Sequence, residues 1–210
     1  MHEEHPMKIP ATRLLLASLA LSGLMTGCAP LLIGGAAVGG ALMYNDRRTS
    51  GTQLEDEGIE LKASARLRER LGDKAHLNVT SYNRIALVTG EVAGDAERSA
   101  IDEVVGKVEN VRSVVNESAV VGISSMTARS NDLIITSKVK AALIDARDLP
   151  TSAVKVVTER SVVYLMGRVT EREAARATEI ARGISGVAKV VKVFETLTED
   201  ELKALSPAKK

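Results

Sequence analysis

The sequence predicts an α+β protein built from two tandem α-β-β-α-β sandwiches, each a three-stranded mixed sheet under two helices. The first observation is an internal repeat. Leu77 to Val79 followed by Ile85 to Val92 matches Val154 to Val156 followed by Val162 to Val169 at a constant offset of 77, and Val111 to Val115 matches Val187 to Val191 at an offset of 76. The second is alternation of apolar and polar residues at Leu77 and Val79, the period of a half-buried strand. The third is helical spacing: Ile59, Ala63 and Leu67 recur at i, i+4, i+8, as do Ile135, Val139 and Leu143.

In chain order, residues 53–71 read as a helix. Leu77 and Val79 mark a strand, and Arg84 to Val92 its hairpin partner. Asp95 to Glu109 reads as a helix with Ala100, Ile101, Val104, Val105 and Val108 on one broad face, Asp95 being the expected N-cap. Val111 to Val120 reads as the third strand. The second half repeats the order with a helix over 131–147, strands near 153–159 and 162–169, a helix over 171–184 and a strand over 187–195. The expected boundaries are 53–121 for the first domain, 122–129 for a linker, 130–196 for the second domain and 197–210 for a disordered tail. A domain of about 65 residues is marginal alone, so packing of one half on the other or on a membrane is expected.

The N-terminal region reads as an export and anchoring signal. Lys8 and Arg13 precede an eleven-residue apolar run, Leu14 to Leu24, which is shorter than the roughly 20 residues a bilayer span requires. Met25-Thr26-Gly27-Cys28 follows and resembles a lipobox, with Met25 where Leu is usual. Residues 1–27 are therefore expected to be a signal peptide whose true start is Met7, and Cys28 the lipidated residue, carrying palmitate and related chains. Cys28 is the only cysteine, so no intramolecular disulfide is available, and acylation would remove a lone thiol. In lipoproteins of this type, Ala29 in place of Asp implies export to the outer membrane. Residues 28–52 form the lipidated N-terminus and a Gly-rich tether. Ala29 to Tyr44 is apolar and glycine-rich; a flexible tether is the favoured reading, and a glycine-zipper helix dipping into the bilayer the rival. Asn45 to Thr52 is polar and closes the segment.

Composition excludes several functions. Lys plus Arg is 28 against 27 Asp plus Glu, giving a net charge of +1, without the basic excess of a general nucleic-acid binder. One Phe, three Tyr and no Trp leave few rings for base stacking. No enzyme, metal or cofactor is expected. His2 and His5 precede the expected start, and His76, beside a strand start, is expected at the surface, so no His/Cys cluster or Cys–His pair exists. Ser152 to Lys155 fits an S-x-x-K pattern but falls on an expected strand without companion motifs. Gly34-Gly35 and Gly39-Gly40 lack the setting and Lys of a phosphate loop. Glu171, Glu173 and Glu179 read as a charged helix face.

The hairpin glycines Gly90 and Gly167, the run Leu165 to Ala174, the segment Ile184 to Val187, and Asn78 to Thr80 with Lys155 to Val157 together resemble the dual-BON-domain outer-membrane lipoproteins of Gram-negative bacteria. The likeness extends from the lipobox to about Phe194. It implies a phospholipid-binding, envelope-integrity protein, anchored in the outer membrane and facing the periplasm. Its implied partners are anionic phospholipids, with outer-membrane assembly or division proteins as a second class and no nucleic acid.

The duplication supplies an internal comparison. At 100° per residue, Leu133 and Ile144 point away from the Ile135 stripe, with Ile134 and Ala141 beside them. Their counterparts in the first half are Glu57, Arg68, Gly58 and Ala65, so this surface is expected to be polar in the first half and apolar in the second. Lys138, Lys140 and Arg147 border it. The expected lipid-contact set is Leu133, Ile134, Lys138, Lys140, Ala141 and Ile144. Family members often carry an aromatic at the position of Ile134. The rival reading is burial of this face against the first half or a protein partner, making the chain an adaptor for envelope assembly or cell-wall machinery.

Overall fold

The computed structural model describes residues 46–205, all within one compact unit, Asn45–Lys210. Cys28, the signal segment, residues 29–45 of the tether and both glycine pairs lie outside the described residues, and the first helix begins at Ser50, inside the expected tether region 28–52. Helix α1, Ser50–Leu71, starts where Thr49 Oγ1 accepts the Thr52 N–H, and it stops at Gly72, whose φ of 55° suits a residue without Cβ. It buries Ile59, Ala63, Leu67 and Leu71 along one stripe. Strands β1, Ala75–Tyr82, and β2, Ile85–Val92, form an antiparallel hairpin. Helix α2, Asp95–Gly106, returns the chain to β3, Ser113–Asn116, and β4, Ala119–Val120, both parallel to β2.

The second half follows with helix α3, Met126–Asp145, strands β5, Val154–Glu159, and β6, Val162–Thr170, helix α4, Glu171–Arg182, and strand β7, Lys189–Leu197. Strand β6 pairs antiparallel with β5 and parallel with β7. A short helix α5, Glu199–Leu205, ends the described chain.

Two glycines are dictated by strand pairing. A Cβ on Gly90 would lie 2.0 Å from the His76 carbonyl oxygen, and one on Gly167 2.2 Å from that of Ala153. Only a residue without a side chain lets the two backbones approach so closely.

Alternation sorts the strand residues between two faces. Ala86 and Val88 pack under α1 and α2, whereas Leu87 points the other way. In the second half Val163 and Leu165 pack under α3 and α4, and Tyr164 and Met166 point away. Tyr82, Leu87, Tyr164, Met166 and Val193 then form a third core between the sheets. The order of layers is helices, sheet, sheet, helices. Each thin sandwich thus buries its open sheet face against the other.

Several details differ from the sequence expectations. Gly94, not Asp95, is the N-cap of α2, and it makes no side-chain cap; Asp95 is the first helical residue, where its charge suits the helix dipole. The third strand of the first half breaks at Glu117 and Ser118, where the Ser118 N–H and hydroxyl both turn to Asn116 Oδ1. Helix α3 begins inside the expected linker, because Ser125 caps it by accepting the Ala128 N–H. Ser152 lies in a 3-10 turn, Thr151–Ala153, and not on a strand. Residues 199–205 of the expected disordered tail are helical, opened by Thr198 and Glu201 bonding each other in capping-box fashion.

Candidate functional site

The core stripe of α3 (Ile135, Val139 and Leu143) faces the second sheet, and its opposite face meets solvent. On that face Leu133 is 70% exposed, Ile134 52% and Ile144 65%; Lys138, Lys140 and Ala141 are exposed with them. The first half does not seal them. All six sequence-derived contact residues therefore share one outward surface. Met126, 73% exposed and missed by the sequence reading because it fell in the expected linker, extends it by two turns. Met126, Leu133 and Ile144 fall within about 20° of one line along the helix. Arg129 and Lys140 flank that line on one side, and Ile134 and Lys138 on the other.

The first half departs from its expected polarity. Leu54 and Leu61 on α1 are 70% and 74% exposed. Leu54 stands about one turn before Glu57 and Leu61 about one turn after it; around the helix both fall between the Glu57–Arg68 line and the Gly58–Ala65 line.

Beneath α3 the seam between the sheets turns polar at one end. His76 is half-buried there, not at the surface, with Nδ1 3.4 Å from the carboxylate of fully buried Glu91. The Glu159 carboxylate, also buried, accepts from Asn78 Nδ2 at 2.9 Å and Thr89 Oγ1 at 3.4 Å. Burial pushes the Glu159 carboxyl above its ordinary range; the Asn78 hydrogen bond opposes this, and the nearby Glu91 and Asp132 carboxylates reinforce it.

The other end of the seam is charge-balanced. Glu195 of β7 accepts from Asn83 at 2.7 Å, from Arg168 at 3.0 Å and from Arg112. Burial would raise its carboxyl, but Arg112, Asn83 and Arg168 together hold it below the usual range. Nearby, the chain ahead of α1 straps the halves together. Arg47 makes a bidentate pair with buried Glu173 of α4, both bonds 2.7 Å, and donates to the Arg168 carbonyl. Arg48 pairs with Asp46 and Asp56 and lies 4.1 Å over the Tyr82 ring.

Among the described residues, no helix is long and apolar enough to cross a membrane, and no three His, Cys, Asp or Glu side chains converge on a metal-sized site. The BON domain family matches residues 55–122 and again residues 131–198. The chain belongs to the BON-domain family.

Relatives of this BON-domain chain include "Outer membrane lipoprotein DolP" of Haemophilus influenzae, 36% identical over 82% of this chain and 90% of that protein. The "21 kDa hemolysin" of Actinobacillus pleuropneumoniae is 31% identical over 71% of this chain and 78% of its own. The "Osmotically-inducible protein Y" of Escherichia coli is 39% identical over 39% of this chain and 43% of its own. The apolar stripe on α3 thus belongs to the second BON domain. Further residues that the sequence did not single out are the paired aspartates Asp56 and Asp132, whose signal was present: a charged residue at the same place in both BON copies, three before the buried Ile59 and Ile135.

Proposed function

We propose that this protein is an outer-membrane-anchored periplasmic lipoprotein. Its second BON domain docks on anionic phospholipid through the outward face of α3, and it supports envelope integrity in this way. The observation that carries the reading is the exposure of Leu133, Ile134 and Ile144 on one helix face bordered by Lys138 and Lys140. A soluble protein rarely leaves such a stripe bare without a binding role. Aliphatic side chains gain about 0.8 kcal/mol per buried CH₂, and each Lys near an anionic surface about 1 kcal/mol. These sums give a free protein modest but detectable binding to vesicles. They suffice for one already held at the surface by acyl chains on Cys28, because tethering raises the effective concentration. The likeness to a relative named as an outer membrane lipoprotein supports the anchoring and its location.

Flotation of residues 45–210 with phosphatidylglycerol-containing vesicles tests the reading, since the tether is absent and this unit carries its own cores. Wild type floats; Ile134→Glu does not, and it keeps its circular dichroism. Loss of a protein pull-down with vesicle binding unchanged would instead favour an adaptor using the same face.

A further inference from the structure

A pocket of about 220 Å³ opens where β1 of the first domain meets α3 and the end of β5. Its walls include His76, Asn78, Arg129, Asp132, Leu133 and Glu159. Asp132 is committed to the hairpin turn, accepting the Arg160 and Ser161 backbone N–H groups at 2.8 Å, one on each oxygen. Besides Asp132, two charges on the walls have no counter-ion among the described residues. The Arg129 guanidinium touches only neutral groups, Ser124 Oγ at 3.3 Å and Met126 Sδ at 4.0 Å. Among the described residues no carboxylate pairs with it. The Glu159 carboxylate is likewise bonded only to the neutral Asn78 and Thr89, and no cation pairs with it among the described residues. The two do not pair with each other. Leu133, at the exposed apolar stripe, stands at the rim.

A buried carboxylate and a half-buried guanidinium facing one cavity call for a ligand carrying both opposite charges on a short linker. We propose that this pocket receives the phosphoethanolamine head group of a membrane phospholipid, the phosphate on Arg129 and the primary ammonium on Glu159. This deepens the docking reading above and rests on it. The rim selects a lipid source, because acyl chains leaving the pocket would pass Leu133, the wall residue that belongs to the exposed apolar stripe. An ammonium both donates N–H bonds to Glu159 and answers its charge; a trimethylammonium has the charge without the donors, and a glycerol head group has hydroxyl donors without the charge. The carboxylate of Glu91, buried near Glu159, adds negative charge at that end of the pocket.

The test compares vesicles of equal phosphatidylglycerol content, completed with either phosphatidylethanolamine or phosphatidylcholine, against residues 45–210. The ethanolamine vesicles are expected to bind about tenfold more tightly, the worth of one charge-assisted hydrogen bond. Glu159→Gln, which keeps oxygen toward Asn78 and Thr89, removes that preference and leaves binding to the choline vesicles unchanged. Arg129→Gln lowers ethanolamine-vesicle binding to the choline level. On the wild-type protein alone, titrated phosphoethanolamine shifts the NMR signals of Asn78, Arg129 and Glu159, and phosphocholine does not. Equal binding to both vesicle types overturns the pocket assignment and leaves α3 docking standing. Shifts with free phosphoethanolamine but no vesicle binding overturn the membrane source, and the docking reading with it.

Discussion

Asp56 and Asp132 stand 76 positions apart and play equivalent parts, each reaching from the first helix of its domain to hold the hairpin turn of that domain. Asp56 accepts the N–H groups of Asn83 and Arg84 at 2.8 and 2.7 Å and the Ser81 hydroxyl at 2.6 Å. Asp132 accepts those of Arg160 and Ser161. All four turn residues have positive φ, between 50° and 65°, and none is glycine. Two-residue hairpin turns of this kind normally use Asn-Gly; here a buried carboxylate offsets the strain.

Asp132→Ala is therefore expected to destabilise the protein by about 2–4 kcal/mol, from two lost charge-assisted bonds partly replaced by water. Adding Ser161→Gly should restore about 1 kcal/mol, the cost of a left-handed conformation for a residue with a Cβ. Urea midpoints of the single and double variants check both. Absence of any rescue would show that the carboxylate holds the turn for a reason other than backbone strain.

Arg47 and Glu173 give the fold a defined acid sensitivity. Burial raises the Glu173 carboxyl, but Arg47 and the Thr170 N–H outweigh it and hold the group below its ordinary value of 4.5. A depressed carboxylate contributes stability above its ordinary value and loses it as pH falls through the folded one. Thermal stability should thus drop below about pH 4.5, and less steeply in Glu173→Gln. At neutral pH, Arg47→Ala leaves a buried carboxylate unpaired and should cost about 3–5 kcal/mol. Calorimetry at pH 7 and pH 4 reads both effects.

Adding one methyl group to Gly90 or Gly167 should be far more damaging than their positions in a strand suggest. The backbone oxygens at 2.0 and 2.2 Å cannot swing aside as a side chain would. Gly90→Ala is strained further by a φ of 118°. Each alanine variant is expected to lose more than about 2 kcal/mol, at the severe end for single substitutions. Gly58→Ala on α1, where a Cβ meets nothing within 4 Å, should instead stabilise by a few tenths to about 1 kcal/mol. Hydrogen exchange of the hairpin amides distinguishes the two.

The repeat, both helix stripes and the outward set on α3 were legible because they are periodic, and periodicity is a local property of sequence. Ile135, Val139 and Leu143 define a buried line, and Leu133 must then point the other way. What escaped was non-local. Arg47 reads as part of a polar linker until its partner Glu173, 126 residues away, is seen. His76 looked like a surface residue because nothing in its neighbourhood announces that Glu91 and Glu159 will enclose it from two other strands. Met126 was lost for a different reason: Ser125 starts a helix in a stretch whose composition reads as linker. The face-to-face packing of the sheets was written in the second apolar register of β2 and β6, at Leu87, Tyr164 and Met166. That register also fits a free, half-apolar sheet.

The layered arrangement separates the two exposed leucine-bearing helices and makes a discriminating experiment possible. The sheets meet through their open faces, so α1 and α3 cover opposite outer faces of the sandwich. A flat bilayer touching Leu133 and Ile144 cannot at the same time reach Leu54 and Leu61. Burying one leucine side chain contributes about 1.5–3 kcal/mol, so Leu133→Glu should lower vesicle affinity by about tenfold or more. Leu54→Gln with Leu61→Gln removes a comparable apolar area and should change affinity by no more than about twofold. Both are surface substitutions and should leave the melting temperature within a few degrees of wild type. If the α1 variant lost vesicle binding as fully as the α3 variant, docking through a single helix face would be untenable: the protein would have to meet lipid on both sides, as it would when bridging two surfaces or assembling with a second copy.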